Sequence, residues 1–298
     1  MTNRRTERSA GLALYSHAAQ HSTAEVMKEY STSFGLATRL LSRQIRPDIK
    51  NIYGLVRIAD EIVDGAAAEA GLDLQSLRHT LDALETETGA ALETGYSTNI
   101  VVHSFSLTAR VAGIGTALTD PFFASMRRDL DPADFTADEV REYIYGSAEV
   151  IGLMCLKVFL KGVPCHDSQR QRLEEGARRL GSAFQKINFL RDLGTDWNEL
   201  GRNYFPGIDP THLTEAQKLK LVADIDADLL VAAAVIPELP RNCRAAVDTA
   251  HGLFAALTQR IRETPAQLLI QTRIRVPNAL KMRIALQAQA RCRIWGAR

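Results

Sequence analysis

A chain of 298 residues can bury one large core, and 46% hydrophobic against 24% charged residues excludes a disordered polymer. A formal net charge of +1 gives no global attraction to nucleic acid, so no nucleic-acid partner is expected. The four cysteines, Cys155, Cys165, Cys243 and Cys292, show neither C-x-x-C spacing nor a histidine in register, which argues against a disulfide framework or a zinc site.

The first twenty residues, MTNRRTERSAGLALYSHAAQ, are basic but lack an apolar run long enough for a signal peptide, and are expected to be loosely ordered. His17 and His21 stand one helical turn apart with no third ligand in view and read as solvated or capping histidines. Helical periodicity then dominates, with helices predicted over 22–41, 48–69, 73–93, 97–113, 119–130, 136–161, 167–200, 214–235, 241–262 and 278–293. Pro47, Pro121, Pro132, Pro164, Pro206, Pro210, Pro240 and Pro277 punctuate this pattern. TADE from Thr136 and TEAQ from Thr214 carry the capping-box signature, and the soft stretch 85–98 reads as a surface turn. The longest apolar run, VIGLMCLKVFL at 150–160, is broken by Lys157 and too short to span a bilayer. The expectation is one all-α domain over 1–298, located in the cytoplasm.

Two acidic stripes interrupt the apolar pattern. In NFLRDLGTDWNELGRNYFP at 188–206, Asp192 and Asp196 are one helical turn apart, and Gln185 and Asn188 fall with them inside about 80° of arc. In NIYGLVRIADEIVDG at 51–65, Asp60 and Asp64 repeat the spacing, with Tyr53, Arg57 and Glu61 on their face. Acidic pairs at this spacing also arise by chance; the neighbours set these apart. Both sit among Leu, Ile, Val and Phe, which places their helices centrally and turns the acids toward an interior cavity. Carboxylates gathered there repel one another unless a cation joins them, and oxygen ligands favour Mg²⁺, or Mn²⁺, over zinc. With Arg57, Arg191 and Arg202 nearby, the stripes suggest a diphosphate held by metal. The competing reading is two buried helices whose acids form ordinary salt bridges with Arg57 and Arg191.

Five stretches in order, YSTSFGLATRLL at 30–41, YGLVRIADEIVD at 53–64, YIYGSAEVIGLM at 143–154, AFQKINFLRDLGTDWNELGRNYFP at 183–206 and RIRVPNALKMRIAL at 273–286, resemble the squalene/phytoene synthase family of head-to-head prenyl-diphosphate synthases. The resemblance implies a single-domain isoprenoid-synthase helical bundle around a central apolar cavity. It implies that Asp60, Asp64, Asp192 and Asp196 bind Mg²⁺ and act in catalysis, with Tyr145 as a further catalytic residue of the central helix. Ser33, Phe34, Tyr53, Arg57, Gln185, Asn188, Arg191, Arg202 and Tyr204 match substrate-binding positions. The implied reaction condenses two prenyl diphosphates through a cyclopropyl diphosphate. The closest likeness is to bacterial phytoene synthases, which use geranylgeranyl diphosphate and need no NADPH. Squalene or dehydrosqualene synthesis from farnesyl diphosphate, and a catalytically silent scaffold member, are the alternatives.

The chain departs from the family pattern in places. Glu61 stands for a second Asp, Thr195 for a common Glu, and Tyr30 and Thr32 for a His and a basic residue. Glu149 is an acid in a stretch usually small and apolar, facing solvent or a polar neighbour, and Phe254 occupies a position where Tyr is frequent. A di-iron carboxylate bundle would need Glu-x-x-His pairs, which the acidic stripes lack, and a one-substrate terpene cyclase would not need two paired motifs. The basic terminal run KMRIALQAQARCRIWGAR either presents a solvated face or meets anionic lipid, as a peripheral contact at the inner face of the cell membrane.

Overall fold

The computed structural model describes residues 3–31, 33–131, 134–198 and 200–295; for residues 3–9, 33 and 295 it describes the backbone alone. Thr32 and the Ser33 side chain therefore lie outside the described residues. All regular structure among those described is helical. The helices are α1 (Asn3–Tyr30), α2 (Ser33–Thr38), α3 (Arg46–Val63), α4 (Ala66–Glu69), α5 (Leu74–Thr94), α6 (Ile100–Ala112), α7 (Thr116–Asp129) and α8 (Ala137–Ile144). After a single π turn, Tyr145–Glu149, follow α9 (Val150–Phe159), α10 (Asp167–Arg191), α11 (Leu193–Asn198), α12 (Glu215–Val235), α13 (Arg244–Glu263), α14 (Ala266–Leu269) and α15 (Asn278–Trp295).

Local chemistry sets the boundaries. Both capping boxes form: Thr136 and Glu139 open α8, Thr214 and Gln217 open α12. Asp73 and Asn99 cap α5 and α6, and Gly95 and Gly113 end those helices at φ 77° and 70°, a conformation glycine adopts without Cβ strain. Several expectations are corrected: the predicted helix 22–41 is divided between α1 and α2, the predicted helix 48–69 between α3 and α4, and residues 85–94 of the predicted surface turn belong to α5. The segment 1–20 is helical from Asn3. The predicted helix 136–161 is interrupted by the π turn, and the predicted helix 167–200 ends at Arg191 before restarting as α11. His17 and His21 are exposed, with ring centroids 4.5 Å apart, as the solvated reading expects.

Buried polar links fix the rotation of the two helices that carry the acidic stripes. On the back of α3, Asn51 accepts from Thr23 of α1 at 2.7 Å and donates to Thr108 of α6 at 3.1 Å. On one side of α10, Asp228 of α12 accepts from Ser182 at 2.8 Å and Lys186 at 2.7 Å. Each network lies on a different face from the acidic stripe of its helix, so satisfying it turns the stripe inward. Close backbone approach brings the walls together: a Cβ on Gly146 would meet the Pro121 carbonyl at 2.1 Å, and one on Gly152 the Ala177 carbonyl at 2.5 Å. The core lies in two apolar clusters, one around Phe105, Phe122 and Phe123, the other around Ile187, Leu190 and Ile261.

Candidate active site

A cavity of about 700 Å³ runs between α2, α3, α7, the π turn, α9, α10, α12 and α13. Its mouth carries Asp60, Asp64, Asp129, Asp192 and Asp196 with Arg57, Arg191, Arg202 and Arg273; its far part is walled by Leu41, Ile49, Leu173, Leu239 and Ala246. The structure thus brings the two acidic stripes to one opening, along with Phe34, Tyr53, Gln185, Asn188 and Tyr204.

Each motif holds its two carboxylates differently. Asp60 lies on the last turn of α3 and has no basic ion-pair partner among the described residues; Asp64, just past the helix end, is bound by Arg202. In the second motif Asp192 caps α10 and is held by Arg191 and by Arg273, whose Nε stands 2.8 Å away, while Asp196 on α11 has no basic ion-pair partner among the described residues. Burial, then repulsion from Asp64, pushes the Asp60 carboxyl up to about 8, and burial, then Asp192, pushes Asp196 up to about 7. The salt-bridge reading accounts for Asp192 and not for Asp60. Arg57 turns to Glu61 instead, and its guanidinium lies 4.3 Å from the centroid of the Tyr30 ring. Glu61 itself leaves the stripe: besides Arg57 it accepts from the Ala66 amide at 3.0 Å, capping α4.

Tyr145 is not brought to this cavity. It faces a separate depression with Leu153, Lys157 and Arg178, and the Arg178 guanidinium lies 5.6 Å from its ring centroid. The cavity receives Tyr143 instead. In a helix the two tyrosines point about 200° apart, and the wall follows the ladder Tyr143, Ser147, Ile151, Cys155. That ladder of residues four apart was the available signal. Glu149 pairs with Arg178 at 2.8 Å, so its polar neighbour, not solvent, holds it.

Asp129, at the end of α7, is a site residue that the sequence reading missed. Its side chain is 2% exposed, Tyr143 donates to Oδ2 at 2.9 Å, and Tyr204 donates to Oδ1 at 3.0 Å. Arg202 donates to its backbone carbonyl at 2.8 Å while also reaching Asp64. Burial raises the Asp129 carboxyl against the pull of Arg202. Burial alone would lower Arg202, but Asp129 and Asp64 outweigh it and hold the guanidinium charged. Phe189 stacks on Tyr204 with centroids 4.1 Å apart, and Phe254 stacks on Phe184 at 3.6 Å.

Among the described residues no three His, Cys, Asp or Glu side chains converge as a preformed metal centre. The donor set nonetheless fits a hard cation: Asp60 and Asp196 lack basic partners, and the buried Asn188 Oδ1 accepts no hydrogen bond.

The fold and this two-motif cavity define an all-α isoprenoid-synthase bundle. The solved structures it matches include a dehydrosqualene synthase in complex with ligand, at TM-score 0.78 and 20% identity over 93% of this chain and 98% of that one. A squalene synthase HpnC from Alicyclobacillus acidocaldarius follows at TM-score 0.70 and 18% identity, over 84% and 95%. The family model described as Squalene/phytoene synthase matches residues 27–279, and the chain belongs to that family. Among curated relatives, a 15-cis-phytoene synthase of Paracoccus sp. is 29% identical over 259 residues, 81% of each chain. A 4,4'-diapophytoene synthase of Staphylococcus haemolyticus is 28% identical over 187 residues, 61% of this chain and 60% of that one. No helix among the described residues is long and apolar enough to cross a membrane.

Proposed function

We propose that the protein condenses two geranylgeranyl diphosphates head to head, through a cyclopropyl diphosphate, to phytoene, releasing both diphosphates. The observation that carries this reading is the polarity of one cavity: acids and arginines at the mouth, an apolar interior behind them. Such a space suits a ligand with a polyanionic head and a long hydrocarbon tail. Ala177, Ala246 and Ala250 present small side chains to the far part, which favours the longer twenty-carbon chain over the fifteen-carbon one. The named phytoene synthases among the relatives support the same choice.

Asp60, Asp64, Asp192 and Asp196, with Asn188, would hold Mg²⁺, or Mn²⁺ in its place. When bound, the metal supplies Lewis acidity and neutralises diphosphate charge. Arg57, Arg191, Arg202 and Arg273 clamp the departing diphosphate as the C1–O bond breaks and the electron pair leaves on oxygen. Phe34, Tyr53 and Tyr143 turn aromatic faces or edges to the cavity, where the allylic cation is captured by the second substrate's double bond. Loss of a proton closes the cyclopropane. A second ionisation and rearrangement end in loss of another proton, and no hydride donor is required.

The test is to incubate the protein with Mg²⁺ and either farnesyl or geranylgeranyl diphosphate, with and without NADPH, and to identify the hydrocarbon by mass spectrometry. Phytoene formed without NADPH is expected. A fifteen-carbon preference would make the protein a dehydrosqualene or squalene synthase, separated by the NADPH requirement. No product from either substrate would point to a silent scaffold.

A further inference from the structure

We propose that the depression holding Tyr145 is a second ligand site, separate from the reaction cavity, for a molecule with one anionic head and a short apolar chain. It encloses about 390 Å³ between the π turn, α9 and the first half of α10. A Cβ on Gly152 would meet the Ala177 carbonyl at 2.5 Å, and one on Gly181 the Ala148 carbonyl at 2.6 Å. Numbers rise on one side as they fall on the other, so α10 runs antiparallel to the π turn and α9. Lys157 and Arg170 therefore lie toward one end of the depression, Tyr145 and Arg178 toward the other.

The two ends differ in chemistry. At the Tyr145 end the charges are satisfied: Glu149 holds Arg178 at 2.8 Å and Arg179 holds Glu175 at 2.6 Å. What that end still offers is the tyrosine ring. At the other end Lys157 and Arg170 are exposed and have no acidic partner among the described residues. Leu118, Leu153 and Leu160 line the space between. An unpaired ammonium and guanidinium suit a phosphate or carboxylate, and leucines with a tyrosine ring suit a hydrocarbon chain. Arg170 and Arg178 are eight residues apart, roughly 12 Å of helix, which an extended chain of about ten bonds covers. Glu174, one turn beyond Arg170 and also without a partner, opposes the anion. Leu156 lines this depression and the reaction cavity alike, so the two spaces share one side chain as a wall.

The experiment titrates the metal-free full chain calorimetrically with decyl phosphate, decanoate and decanol. Decyl phosphate should bind, more weakly at high salt, and decanol at least about tenfold more weakly than the phosphate. Decanoate equal to decyl phosphate points to a fatty acid as the natural source of head and chain; preference for the phosphate points to a prenyl phosphate. Lys157→Glu/Arg170→Glu should weaken binding about tenfold or more, and Glu174→Gln should tighten it several-fold. These variants alter exposed side chains and should melt like the parent. Leu153→Trp, which fills the space, should weaken binding as well. The arginines of the acidic mouth offer decyl phosphate another place, and Arg191→Ala/Arg273→Ala removes that contribution. Binding abolished by Arg191→Ala/Arg273→Ala and indifferent to Lys157→Glu/Arg170→Glu would overturn the proposal, as would equal binding of decanol or no binding at all. Calorimetry needs no turnover, so failure of this site and failure of the proposed condensation are distinct results. A further readout rests on that condensation: at saturating substrate, decyl phosphate should change kcat of the parent at least about twofold and leave Lys157→Glu/Arg170→Glu unchanged.

Discussion

The two acidic motifs look equivalent as sequence but are held by different parts of the fold. Asp64 is clasped by Arg202, from a segment 138 residues further on whose Arg202 and Tyr204 also bind Asp129. Asp192 is clasped locally by Arg191 and from outside by Arg273. In each motif the other carboxylate, Asp60 or Asp196, has no basic partner and is pushed up by burial and by its neighbour. One acid in each pair is therefore braced by the protein, and the other has no basic partner among the described residues, as the proposed cation site requires. A purely structural ion-pair network would leave neither unpaired.

The sharpest way to break this comparison is to neutralise the four acids one at a time. Asp60→Asn and Asp196→Asn should each lower product formation by roughly a hundredfold or more, the scale for losing one electrostatic stabiliser. The same changes should raise the melting temperature of the metal-free protein, because they remove repulsion from a buried site. Asp64→Asn and Asp192→Asn should lower activity too, but with a lower melting temperature, since each strips an arginine of its partner. Stability changes of the same sign in all four would sink the distinction between braced and free acids.

Breaking the brace of the first motif is the next largest effect. Asp129→Ala would leave the hydroxyls of Tyr143 and Tyr204 without their shared acceptor and remove a buried charge beside Arg202. A loss of about 3 kcal/mol or more is expected in chemical denaturation. Asp129→Asn, which keeps an acceptor, should cost less. A change below about 0.5 kcal/mol for the alanine variant would mean that the network does not hold the segment after α11.

How much of this was legible in the sequence follows from periodicity. Asp60, Asp64, Gln185, Asn188 and Asp192 lie on or at the end of long helices, so a 100° rotation per residue placed them correctly on one face. Asp196 was placed with them although the helix breaks at Asp192, because α11 restarts at once. Asp129 was invisible: in SMRRDLD it reads as a surface acid among arginines, and it is buried where the end of α7 meets Tyr143 of α8 and the segment carrying Tyr204. Tyr145 was preferred to Tyr143 because a resemblance aligns residues without showing which face they take. Arg273 lies in the irregular stretch between α14 and α15, where no period applies.

The free acids also make stability depend on pH, and the sign is fixed by their direction. Asp60 at about 8 and Asp196 at about 7 lie above the ordinary carboxylate value, so between about pH 4 and 8 the folded protein holds more protons than the unfolded chain. Their contribution to stability is complete below about pH 4 and is lost as pH rises through 7 and 8. Metal-free protein should therefore melt several degrees lower at pH 8 than at pH 5, after correction for other groups. Asp60→Asn should flatten part of that slope. A parent slope unchanged by the substitution would show that Asp60 titrates in the ordinary range.

The smallest effect sharpens the second motif. Arg273 is 55% exposed on its side chain, so its ion pair with Asp192 is screened by water and contributes under about 1 kcal/mol to folding. Arg273→Ala should leave the melting curve nearly unchanged. The residue nonetheless lines the mouth, where a diphosphate would offer it a stronger partner than Asp192. The variant should then raise KM several-fold while moving kcat less, whereas loss of Arg191, half-buried and adjacent in sequence to Asp192, should lower both stability and kcat. If Arg273→Ala left KM unchanged, the arginine would be a brace for Asp192 alone, and the diphosphate clamp would consist of Arg57, Arg191 and Arg202.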